Sequence, residues 1–242
     1  MYPTLSYATA IVLALLGVRL LAQAVRLQKA AEGWLGGFLL LAGGGMGTAL
    51  IGVHDYLAGD AASYDITRWS MLAVTVGMCA YVEFVRRSFR PDATWAKGLS
   101  ALLCAAMFAG WYQVMFKLAY GHLTEPHPMA FGPRMLAYSW GIVESFLAYR
   151  THKKRMAIGL ADPVVVNRFL LFVIWNLLVI AAPAANAFLR KVNPDAVAVI
   201  YRVFPWLFGS CLAVVTVLIF FPPSAYLDRL TRGYKDELEA AT

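Results

Sequence analysis

The sequence predicts an all-α integral membrane protein in which seven helices cross a lipid bilayer. Of its 242 residues, 60% are hydrophobic and only 14% are charged, and the mean hydropathy is +0.62. A soluble domain of this size needs far more polar surface to cover its core. Two further observations support the prediction: the apolar residues fall into seven long segments, and the basic residues concentrate in alternate connections.

Each of the seven segments is long enough for a spanning helix, which needs about 20 mostly apolar residues. Asp162-Pro163 and Asn193-Pro194 each place a capping side chain before a proline, which indicates the start of a helix. No basic residue precedes the first apolar run, and Arg19 interrupts its end, so this run is predicted to be a retained span rather than a signal peptide. The predicted spans are residues 4–27, 34–57, 66–88, 94–119, 133–152, 163–189 and 194–221.

The distribution of basic residues predicts how the chain is oriented. Connections on the cytoplasmic side of a membrane protein are enriched in lysine and arginine. With the N-terminus outside, 14 of the 21 basic residues lie on the inner side, five lie on the outer side, and Arg19 and Arg202 lie within spans. An odd number of spans then places the C-terminus inside. The inner basic residues are Arg26, Lys29, Arg86, Arg87, Arg90, Lys97, Arg150, Lys153, Lys154, Arg155, Arg168, Arg229, Arg232 and Lys235.

The chain is predicted to have two parts, a seven-helix transmembrane domain at 1–223 and a cytoplasmic-side tail at 224–242. In the tail, apolar residues recur at intervals of three and four, which is typical of an amphipathic helix lying on a membrane surface. The apolar stripe consists of Leu227, Leu230, Tyr234 and Leu238. The alternative roles of this tail are docking of a protein partner and the start of a coiled coil in a longer parent protein.

Polar side chains within the predicted spans are the candidate site residues. Charged groups at bilayer depth are costly, and they usually face the interior of a helix bundle or water. Glu144 lies about halfway along the fifth span and is the most deeply placed acid. If the polar groups converge, they form an outward-facing pocket with aromatic walls, the usual composition of a ligand site. The candidate ligand-binding residues are Glu144, Arg202, Lys117, Gln113, His54, Asp55, Tyr138, Trp140, Asn176 and Asn186.

Each of these residues also has a structural interpretation. Glu144 and Arg202 are predicted to form either an internal ion pair or part of the ligand site. Lys117 lies near the outer end of its span, where a long side chain can extend to lipid headgroups. His54-Asp55 fits a solvated turn as well as a site, and the two asparagines fit hydrogen bonds between helices.

The favoured functional hypothesis is a sensor or receptor that binds a small polar, anionic or lipid ligand in the outward pocket. It would signal through an inner-side protein partner that contacts residues 150–168 and the tail. The first alternative is an ion- or proton-coupled transporter or channel that uses Glu144. The second is an intramembrane enzyme acting on a lipid, and an accessory subunit is a further possibility. An enzyme is less favoured because no known catalytic spacing is present.

Several classes of partner are not expected. The basic residues do not form a soluble face with interleaved aromatics, so nucleic-acid binding is not predicted. The cysteines lack the spacing of a metal site. His122 and His127, separated by four residues in a proline-containing loop, offer a metal site together with His54 as a disfavoured alternative, so no metal and no cofactor are predicted. The lipid bilayer is the one partner that composition itself requires. The predicted location is the cell membrane as a multi-pass protein, in the inner membrane of a bacterium.

Overall fold

A computed structural model describes residues 3–57, 63–117, 128–192 and 197–241, and within these ranges every regular element is helical. The prediction of an all-α chain is therefore confirmed. The α-helices are α1 (Pro3–Leu27), α2 (Ala30–Phe38), α3 (Gly44–Leu57), α4 (Ser63–Phe89), α5 (Thr94–Tyr112), α6 (Pro128–Met156), α7 (Pro163–Val192), α8 (Val197–Phe220) and α9 (Ser224–Ala241). Two π-helical turns are π1 (Leu39–Gly43) and π2 (Gln113–Lys117).

Each of the seven predicted segments forms a long helical element. The second differs in detail, because π1 separates α2 from α3 within one continuous helical path. The flanking residues Phe38 and Gly44 have α-helical backbone angles, so the path does not break there. A π turn adds one residue to a helical turn, and it therefore changes which residues of the following helix face the neighbouring helices.

Three helical segments are each long and apolar enough to cross a membrane within the part of the chain that the structure describes. They are Ala10–Leu27, Thr94–Phe116 and Pro163–Ala181. A fourth candidate is the pair Gly209–Phe220 and Ser224–Arg232, which are bent by 69° relative to each other. Charged residues make α4 and α6 less apolar, including Glu83 in α4 and Arg134 and Glu144 in α6.

Successive long helices pack side by side, and α8 returns to pack against α1. The helix α4 has the most neighbours, because it contacts α2, α3, α5 and α6. Its side chains consequently provide much of the core, including Met78, Tyr81 and Val85. The tail helix α9 packs against α7, where Asn167 Nδ2 donates a hydrogen bond of 2.8 Å to the hydroxyl of Tyr226.

Glycines allow α1 to pack closely against α2 and π1. A Cβ atom at Gly17 would lie 2.5 Å from the backbone nitrogen of Leu40, and one at Gly36 would lie 2.9 Å from the backbone nitrogen of Leu21. These distances leave no room for a side chain. Small residues at such positions let helix backbones pack closely, which is a common means of association for helices in lipid.

The exterior of the bundle is strongly apolar. Large apolar side chains are exposed on several helices, whereas the polar residues Asn176, Thr75 and Glu144 are buried. This distribution is compatible with a location in a membrane, because a protein exposed only to water rarely has extended apolar surface. The exposed residues include Leu15, Val18, Leu102, Leu136, Val143 and Leu177.

Candidate functional site

The contact between α4 and α6 carries the main polar groups of the bundle. In three contacting pairs, the residue numbers increase along both helices: Thr75 with Arg134, Met78 with Tyr138, and Tyr81 with Gly141. Because both numbers rise together, α4 and α6 run parallel. The α6 residues in these pairs are spaced by four and three, so they lie on one helix face. We call the end with the first pair the Arg134 end, and the opposite end the Glu144 end.

At the Arg134 end, one partly buried guanidinium has few partners. Arg134 Nη2 donates a hydrogen bond of 3.1 Å to the hydroxyl oxygen of Thr75, which itself donates to the carbonyl of Met71 at 2.9 Å. The Nε atom of Arg134 is buried and has no hydrogen-bond partner. Among the described residues, no carboxylate forms an ion pair with Arg134. Within the described part of the chain, its positive charge is therefore not paired with a carboxylate.

A second arginine, Arg68, lies on α4 two turns before Thr75 and on the same face of that helix. Arg68 Nη1 is 3.0 Å from the Asp65 carboxylate, and its guanidinium lies over the rings of Tyr64 and Phe116. Its Nε atom is also buried without a hydrogen-bond partner. The Arg134 end thus contains two guanidinium groups with spare donors and one carboxylate.

Midway along the pair, the polar groups are satisfied internally. Tyr138 donates its hydroxyl hydrogen to Met78 Sδ at 2.9 Å. Tyr81 donates to Asn176 Oδ1, and Asn176 Nδ2 donates to the carbonyl of Phe172 at 2.8 Å. Gly141 is required here, because a Cβ atom at that position would overlap the Tyr81 hydroxyl. These bonds join α4, α6 and α7 across the core.

Aromatic rings close the centre of the bundle around Tyr81. Its ring centroid lies 5.0 Å from that of Tyr138, 5.2 Å from that of Phe38 and 6.1 Å from that of Trp175. All four rings are buried. The Trp175 Nε1 atom donates to the hydroxyl of Thr216 at 3.1 Å, which joins α8 to the same cluster. The centre is therefore packed with side chains from five helices.

At the Glu144 end, a buried carboxylate has a complete set of partners. Arg90 Nε donates to the two carboxylate oxygens of Glu144 at 2.9 and 3.0 Å. Trp140 Nε1 donates to one of the same oxygens at 3.3 Å, and its ring packs against Trp95 with centroids 6.0 Å apart. The Glu144 side chain is 6% exposed and that of Arg90 is 42% exposed. This pair therefore connects the core to the surface.

The Arg90 side chain reaches back into the bundle to make this pair. The offset of about 60 between contacting residues of α4 and α6 would place Arg90 level with Arg150. Glu144 lies six residues before that level, or about 9 Å along the helix.

A second cluster at this end has Glu83 accepting from Arg86 Nε at 2.8 Å and from Arg87 Nε at 2.6 Å.

The predicted site residues lie at different depths. Glu144 and Trp140 contact each other at the Glu144 end, and Tyr138 and Asn176 both contact Tyr81 in the centre. Gln113 begins π2, near the Arg134 end, and is partly buried. Glu144 pairs with Arg90, which lies in a connection that was predicted to be outside the spans. The predicted side chains that lie outside the described part are those of His54, Asp55, Lys117, Asn186 and Arg202.

Four residues of this site were not among the predicted site residues: Arg134, Arg90, Thr75 and Tyr81. The two arginines were counted only as charges near span ends. A useful signal was present in α6, where Arg134, Tyr138, Gly141 and Ser145 have helical spacing and form one face. Their partners on α4 could not be identified without the register between the helices.

Among the described residues, no group of three or more histidine, cysteine, aspartate or glutamate side chains is placed to hold a metal ion. Comparisons with family models, with curated proteins and with solved structures found no match to this chain.

Proposed function

We propose that the protein is a seven-span membrane sensor of the receptor type. A small ligand binds at the Arg134 end, which faces outward, and the change is transmitted along α4 and α6 to the Glu144 end on the inner side. The observation that carries this proposal is the continuous line of contacts between the two parallel helices, with an uncompensated arginine at one end and a partly exposed ion pair at the other.

The seven-span arrangement is supported by the positions of tryptophans and charges. Trp69 is exposed near the start of α4, whereas Trp34 and Trp95 are exposed near the starts of α2 and α5 at the opposite end. Tryptophans are enriched at both membrane interfaces. The helices α4, α5 and α6 also alternate in direction, because α4 and α6 run parallel and α5 runs antiparallel to α4. The concentration of basic residues at the Glu144 end supports an orientation with the N-terminus outside and the C-terminus inside.

The packed centre favours a sensor over a channel. Four buried aromatic rings fill the space between the two ends, and the Tyr81 and Asn176 side chains are hydrogen-bonded to each other. A conducting route past Glu144 would require these groups to separate. Packed cores change between discrete arrangements rather than deforming continuously, so a closely packed centre is suited to transmitting a shift of α6 relative to α4.

The inner end also offers a surface for a protein partner. In the last two turns of α6, Arg150, Lys153 and Lys154 are exposed, and Ile158 and Leu160 are exposed in the following connection. Exposed apolar residues beside cations suit a partner with an acidic, partly apolar surface. Movement of α6 would displace this surface directly, because the same helix carries Arg134.

The experiment is a ligand screen by thermal shift on the detergent-purified protein, followed by hydrogen–deuterium exchange. We expect a stabilising compound to change the exchange of residues 86–97 and 145–162, at the Glu144 end. Glu144→Gln is expected to retain binding and to lose the distant change in exchange. Cys211→Ala is the control, because Cys211 is exposed and lies on α8 rather than on α4 or α6.

Two results would contradict the proposal. A compound that binds at the Arg134 end without altering exchange at 86–97 or 145–162 would indicate binding without transmission. Flux of a stabilising compound or of protons into sealed proteoliposomes, lost in Glu144→Gln, would instead indicate transport.

A further inference from the structure

We infer that the ligand held at the Arg134 end is an oxyanion, a group with negatively charged oxygen acceptors such as a carboxylate or a phosphate. This inference rests on the proposed function in taking the Arg134 end as the ligand-binding end. Its basis is the chemistry of Arg134, Tyr138 and Thr75.

Arg134 differs from the other partly buried arginines in its partners. Three other arginines in the described part are partly buried, and each pairs with a carboxylate: Arg68 with Asp65, Arg86 with Glu83, and Arg90 with Glu144. Among the residues that the structure describes, Arg134 has one hydrogen-bond partner, the hydroxyl group of Thr75. A charged group within a membrane bundle is expensive unless it is paired. A bound anion would supply the missing negative charge.

The Arg134 guanidinium has N–H donors available for an oxyanion. A guanidinium is planar and presents five N–H donors, which suits two-pronged contact with a carboxylate or phosphate. In Arg134, Nη2 is used by Thr75, while the buried Nε donor is unused. The geometry of the group is fixed by Thr75, whose own hydrogen is donated to Met71. Thr75 is therefore a positioning residue rather than a ligand contact.

A further donor lies one turn deeper on the same face of α6. The Tyr138 hydroxyl donates to Met78 Sδ, and a thioether sulfur is a weak acceptor. A negatively charged oxygen near Arg134 would be a better acceptor, and rotation of the hydroxyl hydrogen would then strengthen the bond. Binding would release the contact between Tyr138 and Met78. This gives a physical link between ligand binding and the packing of α4 against α6.

The chemistry does not depend on whether the oxyanion is dissolved or belongs to a lipid headgroup, because both present the same oxygens. The test therefore titrates the detergent-purified protein with sodium phosphate, sodium sulfate and sodium acetate. Sodium chloride at equal ionic strength is the reference, and dihexanoyl phosphatidic acid below its micellar concentration is the lipid probe. Thermal shift and calorimetry measure binding.

We expect at least one of these probes to raise Tm saturably above the chloride reference. The variant Arg134→Met should weaken its Kd by about tenfold or more, as expected for loss of a charge-assisted contact. The control variant Arg26→Met removes an exposed arginine at the end of α1 and should leave Kd unchanged. Circular dichroism of Arg134→Met checks that it remains folded. Preference for phosphatidic acid over inorganic phosphate identifies a headgroup, and the reverse identifies a dissolved anion.

The inference is overturned if no probe shifts Tm beyond chloride, or if Arg134→Met binds as tightly as the unmodified protein. The outcome for the proposed function is separate. Arg134-dependent binding without altered exchange at 86–97 supports the oxyanion site and contradicts the sensor. Altered exchange caused by an uncharged compound, with no oxyanion binding, contradicts the oxyanion site and supports the sensor.

Discussion

The two ends of the α4–α6 pair differ in the partners that they provide for a buried charged group. At the Glu144 end, the carboxylate accepts from both Arg90 and Trp140. At the Arg134 end, the guanidinium has one hydroxyl partner and one unused buried donor among the described residues. Removing one partner of a buried ion pair destabilises the folded protein, because the other charge is left buried and unpaired. A buried charge without a partner already lowers the stability of the unmodified protein. The Glu144 end is therefore satisfied by its own side chains, whereas the Arg134 end keeps a buried donor that no described residue uses.

The largest predicted effect is at the Glu144 end. We expect Glu144→Ala to lower the free energy of unfolding by about 3 kcal/mol, because it leaves Arg90 and Trp140 without their acceptor and opens a cavity. Glu144→Gln keeps the volume and an acceptor for Trp140, so it should cost only about 1 kcal/mol. Chemical unfolding in detergent micelles measures both. Unchanged stability in Glu144→Ala would mean that the ion pair does not hold this end together.

The next effect concerns the centre that separates the two ends. Gly141→Ala places a Cβ atom against the Tyr81 hydroxyl, and overpacking of this kind should cost about 2 kcal/mol. Gly132→Ala is the control on the same helix, because a Cβ atom there would meet nothing within 4 Å. The two variants are compared by thermal unfolding. Equal melting temperatures would contradict the close packing of α4 and α6 at Tyr81.

A smaller effect is expected at the Arg134 end. Thr75→Val removes the hydroxyl that accepts from Arg134 and should cost about 1 kcal/mol. Thr151→Val is matched to it, because Thr151 also donates to a carbonyl four residues earlier but has no arginine partner in the described part of the chain. Stability of the two variants is compared by the same unfolding assay. A larger loss for Thr151→Val would show that Arg134 gains nothing from Thr75.

The helices were predictable from the sequence because local signals specify them. Apolar length and the Asp162-Pro163 cap predict α7, for example, and the structure begins that helix at Pro163 with Val164 donating to the Asp162 carboxylate at 2.8 Å. The π1 turn within the second segment has no comparable local signal. It lies where the chain packs against both α1 and α4, so tertiary contacts determine it.

The site was less predictable because it depends on long-range register. Glu144 was predicted either to pair with Arg202 or to line the ligand site, whereas in the structure it pairs with Arg90, which is 54 positions away in sequence and outside the predicted spans. Its long side chain reaches back into the bundle, which charge counting cannot reveal. Arg134 was counted as a charge near a span end, and only its contact with Thr75 shows that it faces α4.

The most direct test of the contrast is the same substitution at both ends, Arg90→Met and Arg134→Met, measured by unfolding in detergent without added oxyanions. Methionine keeps an unbranched apolar chain of similar length and removes the charge. We expect Arg90→Met to destabilise the protein by about 3 kcal/mol, since it leaves the buried Glu144 carboxylate unpaired. Arg134→Met should stabilise it by about 1 kcal/mol, since it removes an uncompensated buried charge. Similar destabilisation by both variants would contradict the account, because it would show that Arg134 already has the partners it needs.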